Sequence, residues 1–205
     1  MEQSPLAPPE LVLLHEAPEN FSVLLQGGFE MLLPRPCTVR EFICGLVGVS
    51  EDYAQKHIQT IFVDGKAIDD LNEAMLGPGS RLALSAALPG LVGATMRRGG
   101  FYSRLREGIT HHADTESATD IDKPFLLQVR LFNAVGRDLA ENFLEFGVIV
   151  PARTLKTFLL SRPATFFHNL RKASLNGSPL PVEPSGPASW PLPQGDVVLQ
   201  VQSNR

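Results

Sequence analysis

The densest group of chemically capable side chains lies between Leu88 and Arg106. Arg97, Arg98, Arg104 and Arg106 bracket Gly99, Gly100, Phe101 and Tyr102, and Glu107 is the first acidic residue after the run. Guanidinium forks beside backbone amides freed by glycine suit a phosphate or a carboxylate. Arginine interleaved with aromatic rings suits single-stranded nucleic acid. Four arginines are a small footprint in a chain of net charge -4, which argues against nucleic acid and leaves a small anion as the alternative ligand. The plainer expectation is that Leu88, Leu91, Val92 and Met96 cover an open sheet end or a domain interface while the arginines face water.

Elsewhere the chemistry is thin. His111, His112, Asp114 and Glu116 are adjacent loop residues without the spacing of a structural metal site, so no metal is expected. His15, His57 and His168 have no Cys, Ser or carboxylate at an informative spacing. No nucleophile elbow, phosphate-binding loop or His-Glu metalloprotease motif occurs, so no catalytic residue and no cofactor is assigned. Cys37 and Cys44 read as two separate thiols in a reducing, cytoplasmic compartment. Trp190, set among Pro184, Pro187, Pro191 and Pro193, either packs as a lid or anchors a partner. The uncharged apolar stretch between Arg81 and Arg97 is interrupted by Pro89, Gly90 and Gly93 and is too short for a membrane span.

These residues must be positioned by a chain that is 43% hydrophobic and 20% charged, enough to build a core. Phe21, Val23 and Leu25 alternate, Gly27-Gly28 permits a tight turn, and Phe29, Met31 and Leu33 resume the alternation, which predicts a hairpin. Thr38 with Glu41 is a capping box before the apolar stripe Val39, Phe42, Ile43, Leu46 and Val47. A short helix over Ser50–Lys56, a strand over Ile58–Val63, an Asp64-Gly65 turn and a strand through Leu82 and Leu84 follow. Leu11–Leu14, in a Pro-rich leader spanning residues 1–18, is expected to add an edge strand.

The second half repeats this order. Phe125–Phe132 is a strand, residues 133–142 a looser turn, and Leu144, Phe146, Val148 and Val150 a second strand. Thr154, Leu155, Phe158 and Leu159 give a helical face, followed by a short apolar face at Phe166, Phe167 and Leu170. The Asn176-Gly177 turn precedes a last strand from Gly195 to Val201. Thr38 and Thr154, the two Asx-Gly turns, and Gly79 and Gly195 align at nearly constant offsets, which predicts a duplication.

The hairpin, the Thr38-capped helix, the run Phe62-Val63-Asp64-Gly65-Lys66 and the run Gly79-Ser80-Arg81-Leu82-Ala83-Leu84 resemble the β-grasp (ubiquitin-like) sulfur-carrier proteins of thiamin and molybdopterin synthesis. The resemblance implies an α+β fold of tandem duplicated β-grasp domains, each a mixed sheet packed against a helix. The expected organisation is a leader at 1–18, a first domain at 19–100, an arginine-containing and polar linker at 101–122, and a second domain at 123–203. The carriers end in a diglycine whose free carboxylate is activated. Here Gly99-Gly100 runs directly into Phe101, so that chemistry would require cleavage after Gly100. The function expected is therefore a non-enzymatic interaction or scaffold protein with a protein partner. The alternatives are an anion-binding protein or enzyme using the arginine segment, and a cleaved carrier.

Overall fold

A computed structural model describes residues 8–101, 123–183 and 186–203. The chain is α+β, with mixed sheet and several helices. Its strands are β1 (Glu10–His15), β2 (Phe29–Leu33), β3 (Cys37–Thr38), β4 (Thr60–Val63), β5 (Lys66–Ala67), β6 (Met75–Leu76), β7 (Arg81–Ser85), β8 (Phe125–Phe132), β9 (Val148–Pro151), β10 (Leu170–Leu175), β11 (Ser178–Pro179) and β12 (Asp196–Gln202). The α-helices are α1 (Ser22–Leu25), α2 (Glu51–Lys56), α3 (Gly90–Met96), α4 (Asn133–Asp138), α5 (Ala140–Phe146), α6 (Ala152–Leu160) and α7 (Ala164–His168). One unit comprises Met1–Leu24 with Phe143–Arg205, and the other Leu25–Asn142. We call them the discontinuous and the continuous unit.

In the continuous unit the strands run in the order β2-β8-β7-β4-β5. β2 is antiparallel to β8, β8 is parallel to β7, and β4 is antiparallel to both β7 and β5. Phe125, Leu127, Val129 and Leu131 of β8 are buried and alternate with exposed residues, the period of a strand with one face on a core. The predicted capping box forms reciprocally. The Glu41 amide donates to Thr38 Oγ1 at 3.1 Å, and the Thr38 amide donates to Glu41 Oε2 at 3.0 Å. The helix it opens widens into a π-helical turn over Glu41–Leu46, closed by the Val47 amide on the Phe42 carbonyl at 2.9 Å. Phe42 and Ile43 are fully buried, each contributing about 1.5–3 kcal/mol of apolar transfer.

The discontinuous unit runs β11-β10-β1-β12-β9. Its pair senses repeat those of the other unit: β9 antiparallel to β12, β12 parallel to β1, and β10 antiparallel to both β1 and β11. The hairpin turns match in atomic detail. Asp64 and Gly65 have φ of 52° and 81°, and Asn176 and Gly177 have 48° and 77°, left-handed values that Asp, Asn and Gly tolerate best. Asp64 exchanges two hydrogen bonds with the Arg81 backbone at the start of β7, at 2.9 and 2.8 Å. Asn176 exchanges the same two, each at 2.8 Å, with the Glu10 backbone at the start of β1. β1 therefore takes the place in one unit that β7 takes in the other.

Several expectations are corrected by these pairings. Residues 21–26 form no strand; the chain turns through a 3₁₀ segment, Pro18–Phe21, into α1. Phe21, Leu24 and Leu25 are buried while Val23 is exposed, so the apolar spacing is helical and Pro18 opens the first turn. The partner of β2 is β8, a strand expected to open the second repeat. Leu11–Leu14 lies inside its sheet, between β10 and β12, and is not an edge. The last strand, β12, sits beside β9 rather than beside β10, so the Gly79–Gly195 match does not join equivalent strands. The expected turn at 133–142 and the expected strand start at Leu144 are helical, with Val135, Leu139, Ala140, Phe143 and Leu144 buried.

Candidate functional site

The arginine-glycine segment leaves α3 and is tied back onto the continuous unit. Gly93 lets α3 fold against its own approach. A Cβ at that position would lie 2.1 Å from the Leu88 carbonyl oxygen, so no side chain fits there. Beyond the helix, the Arg98 amide donates to the Gln59 carbonyl at 2.8 Å, and Arg98 Nη2 donates to the Ala54 carbonyl at 2.9 Å. The Gly99 amide donates to Asp69 Oδ1 at 3.0 Å, with Gly99 in the left-handed region at φ 61°. The Gly100 amide returns to the Arg97 carbonyl at 3.2 Å, closing a tight turn. Arg98 is half-buried and its Nη1 is buried with no hydrogen-bond partner among the described residues. Burial lowers the Arg98 pKa, opposed by the carboxylates of Asp69 and Asp70. The guanidinium remains charged at neutral pH.

Beside this turn lies an open cleft of about 380 Å³, lined by Arg40, Glu51, Asp69, Asp70 and Arg98 together with Gln55, Leu71 and Asn72. Arg40 is spent on Glu51, Nη2 to Oε1 at 2.9 Å. Asp70 accepts the Asn72 amide and side chain at 2.8 and 2.9 Å, bonds that hold its carboxyl below the ordinary range. Three carboxylates face two guanidinium groups, so the lining is not a cationic pocket for a small anion.

Of the residues singled out by sequence, the structure brings Arg98, Gly99 and Gly100 together in this docked turn. Arg97 is exposed and is not part of the cleft lining. Phe101 is 89% exposed. Tyr102, Arg104 and Arg106 lie outside the described residues, as do His111, His112, Asp114 and Glu116. Trp190 belongs to the discontinuous unit, where it is buried and its Nε1 donates to the Pro181 carbonyl at 2.8 Å. The apolar residues in and just before α3 do not all serve as a cover. Leu91 and Val92 are 72% and 70% exposed, while Leu88 and Met96 are half-buried. Residues missed from sequence are Asp69, Ala54 and Gln59, which receive the segment. Two of those contacts use backbone carbonyls, which carry no side-chain signal.

Among the described residues there is no group of three or more His, Cys, Asp or Glu side chains placed to hold a metal, and no helix long and apolar enough to cross a membrane. Cys37 and Cys44 are unpaired. Burial pushes the Cys37 thiol up to about 11 and raises that of Cys44, so neither is an activated nucleophile. No protein-family model matches the chain, and comparison with curated proteins and with solved structures finds no match.

Proposed function

We propose that this chain is a non-enzymatic interaction or scaffold protein of two β-grasp-like units that offers α3 to an apolar groove on a protein partner. The observation that carries this reading is the exposure of Leu91 and Val92 on a helix whose far end is tied down by Arg98 and Gly99. Exposed large apolar side chains mark interaction surfaces, and on an anchored element they bind a partner with little ordering cost. The β-grasp assignment is supported by the matching strand senses and the matching Asx-Gly hairpins of the two units. A cytoplasmic location belongs to the same proposal and is supported by two unpaired thiols.

The sulfur-carrier alternative gains no support from the docked turn. Gly99 and Gly100 are engaged through their amides, and cleavage after Gly100 would have to be followed by undocking. Intact-mass measurement of the protein from its native cell would reveal a fragment ending at Gly100 if that route operated. The small-anion alternative is weakened by the carboxylates around Arg98.

The test is affinity capture with the full chain, comparing wild type with Leu91→Glu/Val92→Glu. Both positions are solvent-facing, so the double variant should keep its circular dichroism spectrum and unfolding midpoint. A partner whose cross-links map to α3 and which is lost with the double variant supports the reading. Undiminished binding by the double variant refutes it.

A further inference from the structure

His15, the last residue of β1, has 0% of its surface exposed and uses both ring nitrogens. Nε2 lies 3.1 Å from the Phe166 carbonyl oxygen, a pure acceptor, and so carries the hydrogen. Nδ1 accepts the Ala17 amide at 3.0 Å and so carries none. The two backbone partners thus select one neutral tautomer. The ring stands edge-on to Phe21 at 5.2 Å and tilted against Phe166 at 4.6 Å, and Phe21 in turn packs on Phe158 and Phe166 at 5.4 and 5.1 Å. A second proton would sit on Nδ1, facing the Ala17 N–H donor to donor, and would place a cation among these rings.

The charged and titratable groups around the ring come from each element of this corner. Its own segment contributes Glu16, paired with Arg171 of β10, and Glu19 in the Pro18–Phe21 turn. α7 contributes His168, which is exposed. β10 also carries Lys172, opposite Leu14. Arg162, after α6, lies over the Phe158 ring at 4.5 Å. Burial lowers the His15 pKa below its ordinary 6.5, outweighing the Phe166 carbonyl, Glu19 and Glu16, which favour the imidazolium.

We infer that His15 is an acid-sensitive latch whose protonation at Nδ1 unseats the Ala17–Phe21 turn from α7 and loosens the discontinuous unit. The folded state binds fewer protons than the unfolded state, so stability is complete above the ordinary imidazole range. It declines as pH falls from 6.5 toward the lowered folded value. Through that window the opening constant rises by up to about tenfold per pH unit.

The experiment uses the full chain between about pH 7.5 and about pH 5. Exchange of the Ala17 amide, corrected for its intrinsic pH dependence, reports the bond to Nδ1 directly. Urea unfolding followed by fluorescence of Trp190, the single tryptophan, reports the unit to which it belongs. His15→Gln removes the titrating group while keeping an N–H donor for the Phe166 carbonyl. Wild type should show the rise and the Gln variant should not. An equal rise in both overturns the latch. Should the variant fail to fold, the wild-type ring decides by NMR: an Nδ1–H tautomer, or protonation at the ordinary value in the folded chain, overturns it equally.

Discussion

Replacing Arg98 with Ala tests whether the arginine-glycine turn is docked by its side chain or only by its backbone. The substitution removes the charge-assisted bond from Nη2 to the Ala54 carbonyl and leaves both backbone bonds, from Arg98 to Gln59 and from Gly99 to Asp69, chemically possible. A hydrogen bond to a charged group contributes about 1.5–3 kcal/mol. Against this, the variant no longer buries Nη1 without a partner, a penalty of about 1 kcal/mol at the low end for an unpaired polar group. The balance is a loss of roughly 0.5–2 kcal/mol confined to the segment, or about a two- to thirtyfold greater open population, since 1.4 kcal/mol is a factor of ten. Limited trypsinolysis reads this as the rate of appearance of the peptide ending at Arg97, normalised to the rate in denaturant, when reclosing outpaces cleavage. Arg98→Lys should fall between, because an ammonium reaches one carbonyl but lacks the planar fork. A normalised rate for Arg98→Ala within twofold of wild type would show that the side chain is not the anchor.

Three further outcomes follow from the geometry. Asp64→Ala and Asn176→Ala each place a Cβ-bearing residue without a capping side chain at positive φ and remove the tie to Arg81 or Glu10; each should lower stability by about 1–3 kcal/mol in urea unfolding. Gly93→Ala forces a methyl into the Leu88 carbonyl, so amide protection across α3 should drop while that of β8 is retained, and unchanged α3 protection would contradict the close approach. Tyr53 donates to Asp138 Oδ2 at 2.8 Å, and burial, then that carboxylate, raises its phenol above the ordinary 10. The folded state then holds the proton more tightly, so wild-type stability should fall relative to Tyr53→Phe as pH rises past about 10, by ultraviolet-monitored titration and unfolding.

Much of the local structure was legible because it depends on near neighbours. Thr38 and Glu41 satisfy each other's amides across one turn, and Asp64-Gly65 and Asn176-Gly177 adopt left-handed φ because few other residue pairs do so cheaply. The aliphatic and aromatic richness of Phe125–Phe132 likewise declared a strand. The burial of residues 21–25 could have been read as helical from Phe21, Leu24 and Leu25, but a three-residue alternation fits both periods in so short a run.

The arginine-glycine segment was visible in the sequence as an unusual composition, and its types alone established that guanidinium and glycine amides occur together there. Only the tertiary structure decided what those groups meet: a helical carbonyl at Ala54, the carbonyl of Gln59 just before β4, and the carboxylate of Asp69, none adjacent in sequence. Strand partnership was decided the same way. Apolar runs mark β1, β2, β8 and β12 as strands, and burial alternates along each of them, but backbone hydrogen bonds are the same for every residue type. Which strand lies beside which is therefore set by how the whole core fills.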